Sequence, residues 1–247
     1  MAEKHFLEQK QHTKSYLLPY FEKHVRDFRH ASVLEIGCAE GGFLDVLHGL
    51  KIKNMGVELS QSRVDTARKQ NPNLQIIQGD ITDSSLIEKI HQTFDLIVMR
   101  DTIEHIADKQ KTFKNLSRLL KSGGFLYITY PPKFSGFGGH QQVSRSCIRY
   151  LPYFHLLPSV IIRTIGKILR EKPHIIDNII SFKRTGLRIN QFEEYCYHHG
   201  FKPVVRELFL SRPIYKTRFR IKARRLPNIP FLREVSALGC EYLLKKR

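Results

Sequence analysis

Residues 33–42 read VLEIGCAEGG, and FLDVLHGL follows at 43–50. A short apolar run that breaks into G-x-x-x-G-G and then into a helical pattern is a strand, a tight turn and a helix start. Glycine at such a turn tolerates left-handed dihedrals and lets a ligand approach the free N–H groups of the helix N-terminus. The spacing is not the G-x-G-x-x-G of dinucleotide sites, and no G-x-x-x-x-G-K-[ST] occurs. A nucleoside without a diphosphate is therefore the better match.

Outward from that turn the pattern repeats. NMGVEL (54–59), LQIIQGD (74–80), FDLIVM (94–99) and FLYITY (125–130) are β-rich and apolar, as expected of central strands buried on both faces. Helical stretches separate them. Ser60 and Asp108 stand where helices begin, and Gly123-Gly124 is expected to end the second of these helices. Alternation of this kind predicts an α/β doubly wound sheet with helices on both faces. A helix at 189–199, a strand at 203–210 and a last strand near 237–244 are expected to complete it to seven strands.

Carboxylates stand at the strand ends. Glu58 follows the glycine turn by about twenty residues, the place from which a carboxylate accepts hydrogen bonds from both ribose hydroxyls. Asp80 is placed to accept from an exocyclic adenine amine, with the Ile81 amide facing a ring nitrogen.

VLEIGCAEG at 33–41, the acidic Glu58, Gly79-Asp80, FDLIVMRDTIEHI at 94–106 and LLKSGGFLYI at 119–128 together resemble class I S-adenosylmethionine (SAM) dependent methyltransferases, with the closest likeness to the ubiquinone-biosynthesis-like branch. YPPKFSGFGGHQQ at 130–142, with LPYFHLL after it, is similar to bacterial methyltransferases of surface-polysaccharide or lipid biosynthesis. The resemblance implies a Rossmann-like, seven-stranded class I sheet carrying an inserted segment after the fifth strand. It also implies SAM as donor and S-adenosylhomocysteine (SAH) as product. On this reading Glu35, Gly37, Cys38 and Gly41 form the turn beside the methionine part of SAM. Glu58 and Leu59 meet the ribose end, Asp80 and Ile81 the adenine, and Met99 or Arg100 the sulfonium. Glu35 replaces the commoner aspartate, and Cys38-Ala39-Glu40 lacks the usual second glycine.

Methyl transfer to a hydroxyl needs a proton acceptor, and histidine suits that role near neutral pH. The candidates are His140, in a glycine-rich loop, His105, after the fourth strand, and Asp101, which has a competing role as a helix cap. The sequence shows no carboxylate and histidine cluster, so no metal is expected.

The implied organisation is an N-terminal helical lid (1–29), a SAM-binding core (30–132), an insertion over the acceptor (133–185) and a C-terminal completion of the sheet (186–247). The formal charge of +18 is uneven: residues 133–247 hold 23 Lys+Arg against 7 Asp+Glu. A surface of this kind attracts anionic partners without selecting among them. Four scattered cysteines argue against a disulfide framework and for a reducing cytosol, and the polar start argues against a signal peptide. The expected activity is O-methylation of a small or lipid-linked acceptor, a saccharide or a quinone-type precursor, in the cytoplasm or peripherally at the inner membrane face. Two other readings use the same residues: an RNA or DNA methyltransferase using the basic half, and a noncatalytic SAM-binding interaction protein. Oligomeric state is left open by the sequence.

Overall fold

The computed structural model describes residues 2–247. The chain opens with α1 (Ala2–His12), widens to a π-helical turn at Thr13–Leu17 and continues as α2 (Leu18–His24). Pro19 follows the π-helical turn inside a chain that stays helical on both sides; having no N–H, it cannot donate back into the preceding turn, and the widened π-turn lies where that bond is missing. The alternating part follows as β1 (Val33–Ile36), α3 (Gly42–Gly49), β2 (Asn54–Glu58), α4 (Gln61–Gln70), β3 (Ile76–Gln78), α5 (Ser84–Lys89), β4 (Phe94–Arg100), α6 (Lys109–Leu119) and β5 (Leu120–Tyr130). Then come α7 (Ser159–Ile168), α8 (Pro173–Thr185), α9 (Ile189–His198), β6 (Phe201–Ser211), α10 (Ile214–Phe219), β7 (Arg224–Arg225), α11 (Leu232–Ser236) and β8 (Gly239–Lys246).

One sheet unites the strands in the order β3-β2-β1-β4-β5-β8-β6-β7. The first five run parallel, and β8 slots antiparallel between β5 and β6. This is the expected α/β class I architecture, with eight strands rather than seven. The additional strand is the two-residue β7, paired with β6 at Phe209 and Ser211. Its exposed arginines sit on the sheet edge, where charge discourages pairing with another chain.

All four residues of β1 are buried, as a central parallel strand requires. Alternation sends Leu34 and Ile36 into one core with β4, α6 and α9, and Val33 into a second core beneath α2 and α3. A third, smaller cluster joins Ile148, Phe154 and Ile162 to the isoleucines of α8. The segment after β5 thus carries its own core.

One local expectation is corrected. α6 ends at Leu119, because Leu120 already turns extended, and Gly123-Gly124 falls inside β5. Ser60 stands where α4 begins, as expected, with its hydroxyl meeting that of Ser62 rather than a backbone amide. Asp108 does cap α6, accepting from the Lys111 amide at 2.9 Å.

Candidate active site

The C-terminal ends of β1 to β5 open into a cavity of about 1320 Å3. Its walls come from α1, the loop after β5, α8 and α10 as well as the sheet. Pockets for one small ligand occupy roughly 300–1,000 Å3, so this space exceeds what a single small ligand fills.

The glycine turn forms part of the wall. Gly37 adopts φ +73°, and a Cβ there would collide with the Thr102 side chain. Ala39 takes φ +51° two residues later, the left-handed region that glycine occupies without strain. The turn is held by Glu58, whose two carboxylate oxygens accept from the amides of Ala39 and Ser60, each at 2.9 Å. Glu58 is thus oriented by the protein's own amides. Asp80 accepts from the Thr82 amide and hydroxyl through Oδ1 alone, leaving Oδ2 without a hydrogen bond among the described residues. The Ile81 carbonyl is fixed by Asn115 Nδ2 at 2.7 Å, and Leu59 stands exposed beside the opening.

Of the sequence candidates, Gly37, Glu58, Leu59, Asp80, Ile81, Arg100, Asp101, His105 and His140 all line this one cavity. Glu35, Cys38, Gly41 and Met99 do not. Met99 points into the core by strand alternation, and Cys38 packs in the core below α3. Gly41 takes φ +79° as the residue before α3, against Leu74 and Ala67. Glu35 is buried beneath the wall and accepts from Arg100 at 2.5 and 3.1 Å, so it acts on the cavity through that guanidinium. Burial pushes the Glu35 carboxyl up, against the pull of Arg100.

Asp101 is no helix cap. It sits at φ +49° and its carboxylate pairs with Arg212, the residue that follows β6. Burial acts to raise its pKa, but Arg212 outweighs this and holds it below the usual range. A carboxylate committed to a guanidinium is a poor proton acceptor.

His105 and His140 are 35 residues apart in sequence, yet their rings stack with centroids 5.0 Å apart. Beneath them lies Glu104, fully buried, with neither carboxylate oxygen hydrogen-bonded. Its Oε1 is 3.6 Å from His140 Nε2 and 4.0 Å from His105 Nε2. Lys109 pins the turn that carries Glu104, donating to the carbonyls of Ile103 (2.5 Å) and Ile106 and to that of Thr185 (2.8 Å). Burial lowers the His105 pKa, partly offset by Glu104. The sequence shows no carboxylate and histidine cluster; folding assembles one, with ligand atoms all within 4.8 Å of one another. These three side chains have the donor types a divalent cation takes. The adjacent Glu104-His105 pair was visible in the sequence, but nothing there joined it to His140.

Two further groups on the cavity wall carried no sequence signal. Glu241 of β8 lies in register with Thr129 and, through it, Arg100, so one row crosses β4, β5 and β8. It accepts from Tyr16 at 2.9 and 3.0 Å and from Tyr127 at 3.0 Å. His12 of α1 is buried, its Nδ1 without a partner among the described residues. Burial, then Arg100 and Arg212, lower its pKa to about 3, so it is a neutral imidazole.

Residues 4–171 match the family model described as "Methyltransferase domain". Among curated proteins the chain is 31% identical over 115 residues to a ubiquinone biosynthesis O-methyltransferase of Coxiella burnetii, covering 45% of this chain and 48% of that one. It is 32% identical over 99 residues to phosphoethanolamine N-methyltransferase 3 of Arabidopsis thaliana, covering 39% and 20%. The matches span about half the length of the first of these relatives, and less of the second. Among solved structures, a SAM-dependent methyltransferase from Mesorhizobium loti superposes with a TM-score of 0.58 at 15% identity, covering 92% of this chain and 96% of that one. The plantazolicin methyltransferase BpumL in complex with SAH gives 0.57 at 15%, covering 97% and 85%. At these identities the structural likeness concerns the fold.

Proposed function

The chain belongs to the methyltransferase domain family, and from that premise we propose that it transfers a methyl group from SAM to a hydroxyl of a small or lipid-linked acceptor. The observation that carries the reading is convergence: Gly37, Glu58 and Asp80, from the ends of β1, β2 and β3, meet in one cavity with His105 and His140. The residues fit SAM. Gly37 turns the chain at the cavity wall with a left-handed φ, Oδ2 of Asp80 has no hydrogen bond among the described residues, and the Glu58 carboxylate is held in place by two amides. Glu58 takes the ribose hydroxyls and Asp80 the adenine amine, with Leu59 beside the ribose and Ile81 against the base. Arg100, tied to Glu35, faces the sulfonium end.

SAM when bound supplies an electrophilic methyl group on a positively charged sulfur. The protein's part is to hold the acceptor oxygen in line with it, and such positioning is worth many orders of magnitude in effective concentration. As the O–C bond forms and the S–C bond breaks, the acceptor proton passes to His140. The imidazolium that results faces the otherwise unpartnered Glu104, whose charge stabilises it in a buried setting.

The name of the Coxiella relative supports an oxygen acceptor, and that of the Arabidopsis relative a nitrogen one. The paired histidines and Glu104 favour oxygen, because an acceptor hydroxyl must lose its proton during transfer whereas a neutral amine need not. A nucleic-acid acceptor and a noncatalytic role are the competing readings. The test is titration calorimetry with SAM and SAH, with NADH as control, followed by transfer of labelled methyl to a panel of catechols, sugars and RNA. Binding of both sulfur compounds with label in a hydroxyl product is the expected result. Label in RNA would replace the acceptor class, and binding without turnover to any acceptor would replace catalysis with a regulatory role.

A further inference from the structure

Two segments far apart in sequence meet at the mouth of the cavity. Val143, Arg149 and Tyr150 come from the loop after β5; Arg218, Phe219 and Ile221 come from α10 and the residues following it. Although they line the cavity, Tyr150 is 72% and Phe219 63% exposed, and Val143 and Ile221 are also open to solvent. Single exposed apolar residues are ordinary, but a set gathered around one opening marks an interaction surface. α7 adds a second apolar face: Ile162 and Gly166 turn inward while Val160, Ile161 and Ile168 are exposed.

Charge surrounds these residues with one sign. Residues 212–225 contain seven Lys+Arg and no Asp or Glu. Arg212, Arg218 and Arg225 are paired with Asp101, Glu8 and Glu207. Lys216, Arg220, Lys222 and Arg224 have no ion pair among the described residues. Residues 133–185 hold nine cations against Glu171 and Asp177. Asp177 is paired with Arg163, and Glu171 accepts from the Ser146 amide, which leaves Arg149, Lys167 and Arg170 without a carboxylate partner among the described residues. The Arg149 guanidinium lies 5.5 Å from the Tyr150 ring centre, an aromatic and a cation presented together.

Exposed aliphatic and aromatic side chains interleaved with unpaired cations complement a surface that is apolar just below a layer of negative charge. Anionic phospholipid offers both, and no helix of the described residues is long and apolar enough to cross a membrane, so the contact is superficial. A nucleic acid would engage the cations and stack on the aromatics, but it has nothing for Val143, Val160, Ile161, Ile168 and Ile221. We propose that the rim of the cavity, together with the outer face of α7, docks on an anionic bilayer so that the cavity opens toward the lipid. The docking stands apart from the methyl-transfer reading. Only its use, the entry of an acceptor bearing an apolar tail directly from the bilayer, rests on that reading.

The test is sedimentation of the full chain with phosphatidylcholine vesicles containing about one-third phosphatidylglycerol, against phosphatidylcholine alone, at low and high salt. Each cation near such a surface is worth about fivefold in partitioning. Binding to the anionic vesicles that weakens at high salt is expected, with at least about tenfold less on the neutral ones. The double variant Arg220→Glu/Lys222→Glu should bind at least about 25-fold more weakly. Val160→Ser/Ile168→Ser should also lose binding, and both should keep the wild-type melting temperature and SAM affinity because none of these residues lines the cavity. Equal binding to both vesicle types, or retention by both variants, overturns the proposal. So does displacement from anionic vesicles by random-sequence RNA at equal phosphate concentration, which would mark the surface as a nucleic-acid site. Vesicle binding by a protein that fails to bind SAM would leave the docking intact and remove the methyl-transfer reading.

Discussion

Glu241 is buried in β8 with two tyrosines as its only hydrogen-bond donors among the described residues and no cation within ion-pair distance. Burial pushes its carboxyl from 4.5 up to about 7; the bonds from Tyr16 and Tyr127 and the charge of Arg212 pull it down, and Glu207 adds to the rise. A rise of that size corresponds to roughly 3 kcal/mol for ionising the group in the folded rather than the unfolded chain. Because the folded pKa lies above the unfolded one, the stability linked to the neutral form is complete below about pH 4.5. It drains away as pH rises toward about 7 and stays lost above. Glu241→Gln keeps an acceptor oxygen for the tyrosines and cannot ionise. At about pH 8 the variant should therefore be more stable than wild type by about 1–3 kcal/mol, and at about pH 4 the two should be nearly equal. Urea unfolding at both values, compared through midpoints at a common slope, measures this. The difference between the two proteins cancels every other titrating group. A variant equally or less stable at pH 8 would show that Glu241 is ionised at no cost, and that its burial is compensated by something other than the two phenols.

Glu58→Ala removes the acceptor proposed for the ribose hydroxyls together with the brace of the glycine turn. With hydrogen bonds to a charged group worth about 1.5–3 kcal/mol each, SAM affinity should fall by tenfold to several hundredfold by calorimetry with the circular dichroism spectrum unchanged; an affinity within twofold would sink the ribose assignment. His140→Ala should lower turnover by about a hundredfold or more while donor affinity holds, and full activity would remove His140 as the base. Ala39→Gly relieves a left-handed alanine and should raise stability by up to about 1 kcal/mol, read as a higher melting temperature; a lower one would mean that the turn is not strained there. Activity should survive exhaustive chelation, since Glu104 is assigned to an imidazolium. Loss on chelation with recovery on adding magnesium or zinc would reassign Glu104, His105 and His140 as cation ligands.

Local chemistry made much of this protein readable in one dimension. The run from Val33 to Gly42 specifies a strand, a left-handed turn and a helix start within ten residues, and Glu58 and Asp80 follow at strand ends that their own neighbours define. Parallel strands in a doubly wound sheet end on one edge, so reading the strands suffices to bring Gly37, Glu58 and Asp80 together. Register and side-chain direction were less accessible. Whether Met99 or Arg100 faces the cavity depends on one residue of strand phase, and alternation in β4 sends Met99 to the core.

The remainder required long-range contact. β7 is two residues in a basic linker and exists because β6 offers a free edge. Asp101 reads as a cap until Arg212, 111 residues later, claims its carboxylate. Glu104 and Glu241 are single acids with no motif around them. They become chemically distinctive only when folding strips their water and sets histidines beside one and tyrosines beside the other. The sequence by itself thus determined the parallel part of the sheet, the carboxylates Glu58 and Asp80 at its strand ends and the excess of cations in the second half, because each follows from residues near one another in the chain. Tertiary structure alone decided the histidine and glutamate cluster, the buried carboxylate of β8 and the apolar rim, because desolvation and proximity are properties of the folded state.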